Sequence, residues 1–219
     1  MRIDPGQVAA RSGIPDATET WQMLEDVRQG DPKALDRLLA NHRGYLHRVV
    51  TLRLDAGLQA RVDASDVVQE SQLEATRRIA DYLQRRPMPF HLWLRQTACE
   101  CLIALRRRHR DARCRTVNQE VPLPDDSALL MGRQFLAADR SPGRQATEQE
   151  MIRRVRQSMA ELAEEDREII LMRNFEELSN QDAAQCLDIE PATASKRYAR
   201  ALLRLRQRLA DLGIRESQL

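Results

Sequence analysis

The stretch Leu178-Ser179-Asn180-Gln181-Asp182-Ala183-Ala184-Gln185-Cys186-Leu187-Asp188-Ile189-Glu190-Pro191-Ala192-Thr193-Ala194-Ser195-Lys196-Arg197-Tyr198-Ala199-Arg200-Ala201-Leu202 decides the fold of the C-terminal part of this chain. It reads as a short helix, a tight turn and a second helix whose polar face carries Lys and Arg but no acid. A helix-turn-helix is built this way: the first helix braces and the second lies in the major groove. Ala194, Tyr198, Ala201, Leu202, Leu205 and Leu209 recur at helical spacing and form the predicted buried stripe. Ser195, Lys196, Ala199 and Arg200 fall on the opposite face. Lys196 and Arg200, four residues apart, can enter one groove together. Arg197 and Arg204 flank them and are placed for backbone phosphates, which set register rather than sequence. Asp188 stands at the turn, where a left-handed residue is needed, and Asp accepts that conformation better than most. Pro191 suits the first turn of the following helix.

Working outward, the 219 residues fit one or two domains. Aromatics make up only 4%, and the abundant Leu, Ala, Arg, Glu and Gln favour helix throughout. The net charge of +2 says little, but its distribution says more. Arg85, Arg86, Arg95, Arg106, Arg107, Arg108, Arg110, Arg113 and Arg115 are opposed locally only by Glu100 and Asp111. Lys196, Arg197, Arg200, Arg204, Arg206 and Arg208 form a second acid-free group. Two separate basic surfaces imply contact with DNA at two places.

Residues 1–19 hold Pro5, Gly6, Gly13 and Pro15 with few large apolar side chains, and read as a loose tail. Helical periodicity begins with Trp21, Leu24 and Val27 and resumes after Gly30-Asp31-Pro32, where Asp31 is a predicted N-cap. Asp63-Ala64-Ser65-Asp66 opens a further helix to about Leu83. Pro87 and Pro89 then break the chain, and Phe90 starts a helix that runs into the arginine cluster. Phe90 and Trp93 offer rings on which bases could stack, but their spacing with Leu94 and Thr97 favours core packing. Periodicity fades over residues 114–144, a predicted linker, and returns from about Gln145, with a helix over residues 165–176 leading into the helix-turn-helix. The expected architecture is therefore all-α, with helical domains at 20–113 and 145–219.

Cys99, Cys101, Cys114 and Cys186 make no CxxC pair, and Cys99 and Cys101 fall on different sides of one helix. With His91 and His109 nearby they still lack zinc-ligand spacing, so no metal or cofactor is expected. Reduced thiols, no apolar run of roughly 18 residues and no signal peptide point to a cytoplasmic protein without a membrane span. No Gly-rich phosphate loop or nucleophile-base arrangement is present, which argues against an enzyme.

With this order visible, the chain resembles the extracytoplasmic-function (ECF) group of bacterial sigma factors in the sigma-70 family. Asp63-Ala64-Ser65-Asp66-Val67-Val68-Gln69-Glu70 is similar to the acidic segment that grips the polymerase clamp. Phe90-His91-Leu92-Trp93-Leu94 through Arg110 looks like the promoter-melting helix, and residues 162–179 lead into the helix-turn-helix as in the family's second domain. The resemblance implies RNA polymerase core as a partner, through its beta-prime clamp and beta flap, together with promoter DNA and often an anti-sigma factor. By position, Asp63, Asp66, Gln69 and Glu70 would meet the polymerase. Ser195, Lys196, Arg197, Ala199, Arg200 and Arg204 would serve the −35 element. Arg85, Arg86, Arg106, Arg107, Arg108 and Arg110 would hold backbone at the −10 element as strands separate.

The break at residues 84–89 corresponds to the loop that captures a flipped base in the family. Ala194-Ser195-Lys196-Arg197-Tyr198 and the Val121-Pro122-Leu123-Pro124 linker resemble a subgroup found in planctomycete-like bacteria. Glu100 and Ala104 stand where the family often has Asn and Asp, and a Glu facing phosphates is unfavourable. The competing reading is a helix-turn-helix regulator with an N-terminal sensing domain, which leaves the first arginine cluster unexplained.

Overall fold

Asp16 starts the first helix earlier than the hydrophobic pattern predicts, because its carboxylate accepts the Thr18 and Glu19 amides at 2.8 and 3.0 Å. These bonds supply two of the donors a helix N-terminus leaves over and hold the Asp16 carboxyl below its usual range. The computed structural model describes residues 14–54, 58, 61–113, 154–155 and 157–212, with side chains described only to residue 109 in the helix that ends at 113. The linker predicted at 114–144 and most of the predicted tail lie outside the described residues. The chain divides into two compact units, Met1–Leu123 and Pro124–Leu219. The described residues are all-α, with no strand among them.

In the first unit, helix α1 (Ala17–Arg28) buries Thr20 and Leu24. Trp21, expected on the buried stripe, is instead 56% exposed, because the Thr20/Leu24 line turns it outward. Gly30, at φ +87°, lets the chain reverse. Asp31 then accepts the Lys33 amide at 2.9 Å, as a cap would, but regular helix begins at Ala34 rather than at Pro32. Helix α2 (Ala34–Thr51) buries Leu38, Leu39, Tyr45, Leu46, Val49 and Val50. Helices α3 (Ala64–Arg85) and α4 (Phe90–Arg113) pack on each other and on α2.

Between these helices Leu46, Val50, Val68, Ala75, Leu94, Ala98 and Leu102 form the core. At one end Tyr82, Phe90 and Trp93 close it with ring centroids 4.7 to 5.6 Å apart. Each large apolar side chain removed from water contributes about 1.5–3 kcal/mol, so these rings anchor the α3–α4 break. His42 is also fully buried, and its Nδ1 lies 2.9 Å from the Leu38 carbonyl oxygen.

In the second unit, helical residues carrying Val155 and Met159 precede helix α5 (Glu164–Ile170). Glu164, Glu165 and Asp166 occupy its first turn, where negative charge suits the dipole. The chain then widens into a π-helical stretch, Leu171–Phe175, closed by Glu176 N–H donating to the Leu171 carbonyl at 3.0 Å. A uniform helix was expected over residues 165–176. The extra residue per turn puts Leu171, Met172 and Phe175 all into the core. Glu177 follows in the left-handed region at φ +55°. Ser179 and Asp182 form a reciprocal capping box that opens helix α6 (Asn180–Cys186).

Asp188 takes the left-handed conformation at φ +52°, as its place in the turn predicts. Helix α7 (Pro191–Asp211) begins with Pro191 in its first turn. Asn180 Nδ2 donates to the Pro191 carbonyl at 2.8 Å, tying the start of α6 to the start of α7.

Candidate nucleic-acid interface

Helix α7 separates its faces much as the spacing predicts. Ala194, Ala201, Leu205 and Leu209 are buried, Tyr198 and Leu202 are half-buried, and Ser195, Lys196, Ala199 and Arg200 are exposed. Tyr198 is fixed by donating its hydroxyl to Asn174 Oδ1 at 2.9 Å, while the Arg173 guanidinium sits 5.6 Å from its ring centre. The helix can therefore present its basic face at a set rotation, which major-groove reading requires.

The two flanking arginines depart from expectation. Arg197 is half-buried and lies 3.3 Å from Glu165, and Arg204 donates to the buried Asp166 carboxylate. Arg208 similarly reaches Glu161 at 2.9 Å. These side chains brace α7 against the acidic start of α5 and the turn before it. Contact with phosphate by Arg197 or Arg204 would require giving up that pair. Leu203, 63% exposed and one turn beyond Arg200, is an apolar surface residue that the amphipathic pattern did not single out.

At the start of α3 the acidic group divides by role. The Asp63 carboxylate caps the helix, accepting the Ser65 amide at 2.7 Å, and that bond lowers its pKa. Asp66 is an exposed first-turn residue without that bond. Asp66, Gln69 and Glu70 lie open together at i, i+3 and i+4 spacing, and Leu73, 50% exposed, extends the same face.

At the α3–α4 break, Arg86 closes α3 in the left-handed region at φ +38°, its amide donating to Tyr82 O at 2.7 Å. The Tyr82 hydroxyl in turn donates to Met88 O at 3.0 Å, and burial pushes that phenol up to about 12. The Arg86 guanidinium rests 4.3 Å from the Trp21 ring centre. Arg85 is exposed, with Asp81 at 3.9 Å. Phe90 and Trp93 are core residues at 3% and 7% exposure.

Along α4 the arginine cluster is less uniform than its sequence. Arg95 is buried, and Arg106 is half-buried and donates to the Arg53 carbonyl. Arg107 and Arg108 are exposed, whereas the side chain of Arg110 lies outside the described residues. Glu100, which would oppose phosphates, is held by Arg78 at 2.7 Å and accepts from Gln96 at 3.3 Å. Ala104 is exposed beside it. Among the described residues no three His, Cys, Asp or Glu side chains converge on a metal site. None of the described helices is long and apolar enough to cross a membrane.

A braced helix-turn-helix with an open basic face, on a chain with a second helical unit carrying exposed arginines, defines a DNA-binding protein with no strand among its described residues. Comparison narrows the class. Residues 152–205 match the family model of sigma-70, region 4. The chain is 29% identical over 180 residues to the RNA polymerase sigma-H factor of Pseudomonas aeruginosa, covering 82% of this chain and 88% of that one. It is 28% identical over 183 residues to the ECF RNA polymerase sigma-E factor of Haemophilus influenzae, covering 82% and 89%. The fold is similar to that of CnrH in complex with the cytosolic domain of CnrY, with a TM-score of 0.56 at 20% identity, over 90% of this chain and 97% of that one. It is also similar to the sigma factor RpoE in complex with the anti-sigma factor NepR from Bartonella quintana, with a TM-score of 0.53 at 17% identity over 81% and 98%. The chain carries a sigma-70 region 4 segment and is similar over most of its length to RNA polymerase sigma factors, one of them of the ECF group, and its function is promoter recognition in transcription initiation by RNA polymerase.

Proposed function

We propose that the chain divides promoter recognition between its two units. The observation that carries this reading is the open basic face of α7, Ser195, Lys196, Ala199 and Arg200, inside the segment that matches sigma-70 region 4. That face reads the −35 element in the major groove, with Arg200 the best placed for a base edge. The first unit, over residues 20–113, works at the −10 element. Arg85, Arg86, Arg107 and Arg108 hold backbone while the strands separate, and the loop after α3 receives a flipped base, whose unstacking must be offset by such contacts.

Asp66, Gln69 and Glu70 form the polymerase-facing surface, an exposed acidic and amide patch suited to a basic coiled coil on the clamp, while Asp63 shapes the helix beneath it. The second unit would meet the flap. The protein acts in the cytoplasm without catalysis of its own. An anti-sigma factor is proposed as a further partner, since both similar structures are complexes with another protein. The sequence Ala194-Ser195-Lys196-Arg197-Tyr198 supports a place in the planctomycete-type subgroup.

Reconstitution tests this reading. Mixed with bacterial core polymerase and a promoter chosen by genome-wide binding, the chain should give specific run-off transcripts. Gln69→Ala/Glu70→Ala should weaken core binding while leaving affinity for a −35 duplex unchanged. Failure of the wild-type chain both to bind core and to initiate would overturn the proposal. Repression at an operator would favour a regulator instead.

A further inference from the structure

The Trp21–Arg86 pair is left unexplained by the core and by the helix caps. Trp21 sits on α1, far in sequence from the α3–α4 break, and its neighbours Thr20 and Leu24 take the buried positions. It is 56% exposed, so packing does not account for the indole. One face of the ring carries the Arg86 guanidinium at 4.3 Å. Arg86 itself holds a left-handed backbone at φ +38°, a helix-ending position where Gly is usual and a longer side chain is strained. The carboxylate near this pair, Glu25, is engaged by Arg28 at 3.2 Å, and Asp81 faces Arg85 at 3.9 Å. The guanidinium therefore lies over an aromatic ring at the edge of the loop, with Glu25 near enough to feel its charge but hydrogen-bonded to Arg28 and Gln29.

We propose that Trp21 and the Arg86 guanidinium form a stacking platform for one unpaired base of the opened promoter strand. The inference rests on the assignment of residues 84–110 to strand opening. A guanidinium plane and an indole both offer a flat π-like or cationic surface that any base can stack on, and the paired positive charge draws the adjoining phosphate. In its stacked position the Arg86 side chain is already immobilised, so less freedom is lost when a base arrives. Trp21 thereby brings α1 into the −10 surface.

The chain has two tryptophans, and the other, Trp93, is 7% exposed. Emission from the full-length protein can therefore report on Trp21 directly, with Trp21→Phe supplying the background. Short single-stranded oligonucleotides carrying the promoter's −10 sequence should quench the Trp21 component, and the same oligonucleotide with an abasic site at the contacted position should not. Trp21→Ala should weaken single-strand binding about tenfold, within the range of one lost base stack. Trp21→Phe should retain most of the affinity, because it keeps a ring. Loss of affinity from the abasic site and from Trp21→Ala should not add.

Unchanged affinity in Trp21→Ala with no quenching in the wild type, while Arg107→Ala/Arg108→Ala does weaken binding, would overturn the platform and leave the −10 surface standing. Absence of single-strand binding by the wild-type chain would overturn both. Equal quenching by an abasic strand or by a base-free polyanion would show that only charge is sensed, which also rejects stacking.

Discussion

Removing the Arg204 side chain should damage the fold of the second unit more than its hold on DNA. Arg204 Nη1 meets the Asp166 carboxylate, whose side chain is 8% exposed while that of Arg204 is 59% exposed. A charge-assisted hydrogen bond contributes about 1.5–3 kcal/mol when both groups are withdrawn from water. Here one partner is more than half in solvent, which brings the figure towards the fraction of a kcal/mol typical of surface pairs. In Arg204→Ala, however, Asp166 keeps its charge in a buried position, and only the helix dipole compensates it. Between these limits the loss is about 1–2 kcal/mol.

For a unit of this size that lowers the melting temperature by roughly 4–8 °C per kcal/mol. The assay is thermal denaturation followed by far-ultraviolet circular dichroism, paired with fluorescence anisotropy on a −35 duplex. Asp166→Ala should cost a similar amount, and the double variant should cost clearly less than the two added together, because the same pair is broken twice. DNA affinity measured well below the melting point should change little in Arg204→Ala, whereas Arg200→Ala should lose about 1–3 kcal/mol at the preferred site. Additive losses in the cycle, or an unchanged melting temperature with weakened binding to every DNA, would refute the bracing role and return Arg204 to the phosphate backbone.

Two further outcomes follow from backbone and burial. Asp188→Gly should stabilise the second unit by about 0.5–1 kcal/mol, since glycine removes the left-handed penalty at φ +52° and gives back part of that gain in unfolded-state entropy. Glu177→Gly, at φ +55°, should do so at least equally, and equilibrium unfolding by circular dichroism checks both. His42 is buried and its pKa falls from 6.5 to about 4, chiefly through desolvation. The unfolded chain then binds the extra proton between these values, so stability rises from about pH 4 to pH 6.5 and is level above. The slope approaches roughly 1.4 kcal/mol per pH unit within that window. His42→Leu should flatten it in urea titrations at pH 5 and pH 7, and an identical pH dependence in the variant would count against the assignment.

Much of the fold was legible because apolar spacing and local chemistry agreed. Ala194, Ala201, Leu205 and Leu209 fall on one side of α7, and Phe90 and Trp93 enter the core, as helical periodicity requires. The Asp188 turn was legible for the same kind of reason, since few residues other than Gly suit it. What escaped depends on partners distant in sequence. Nothing local tells that Trp21 turns away from the core to meet Arg86, or that Glu100 is taken by Arg78. The Asp16 cap was missed because the apolar pattern starts later than the polar signal. The π-helical stretch at Leu171–Phe175 has no marker in a 3.6-residue pattern that already places Ile169, Ile170 and Met172 inside.

Charge was the least legible feature, and it can be measured through salt. The sequence offers α7 as a row of cations, each a candidate for releasing one condensed counterion from DNA. Every phosphate neutralised steepens the fall of log K against log salt concentration by about 0.9. Arg197, Arg204 and Arg208 are instead paired with Glu165, Asp166 and Glu161, so each carries its counter-charge within the protein. Substituting these three by Ala should leave the slope on a −35 duplex nearly unchanged, while Lys196→Ala should lower its magnitude by about 0.9 if the ammonium meets phosphate. Arg200→Ala separates further. A base-edge contact relaxes preference for the promoter sequence over scrambled DNA, whereas a phosphate contact lowers affinity for both alike. A slope that drops by about 0.9 for each of the three paired arginines would mean the acidic start of α5 releases them on binding. The intramolecular pairs would then be a competitor of DNA rather than a brace.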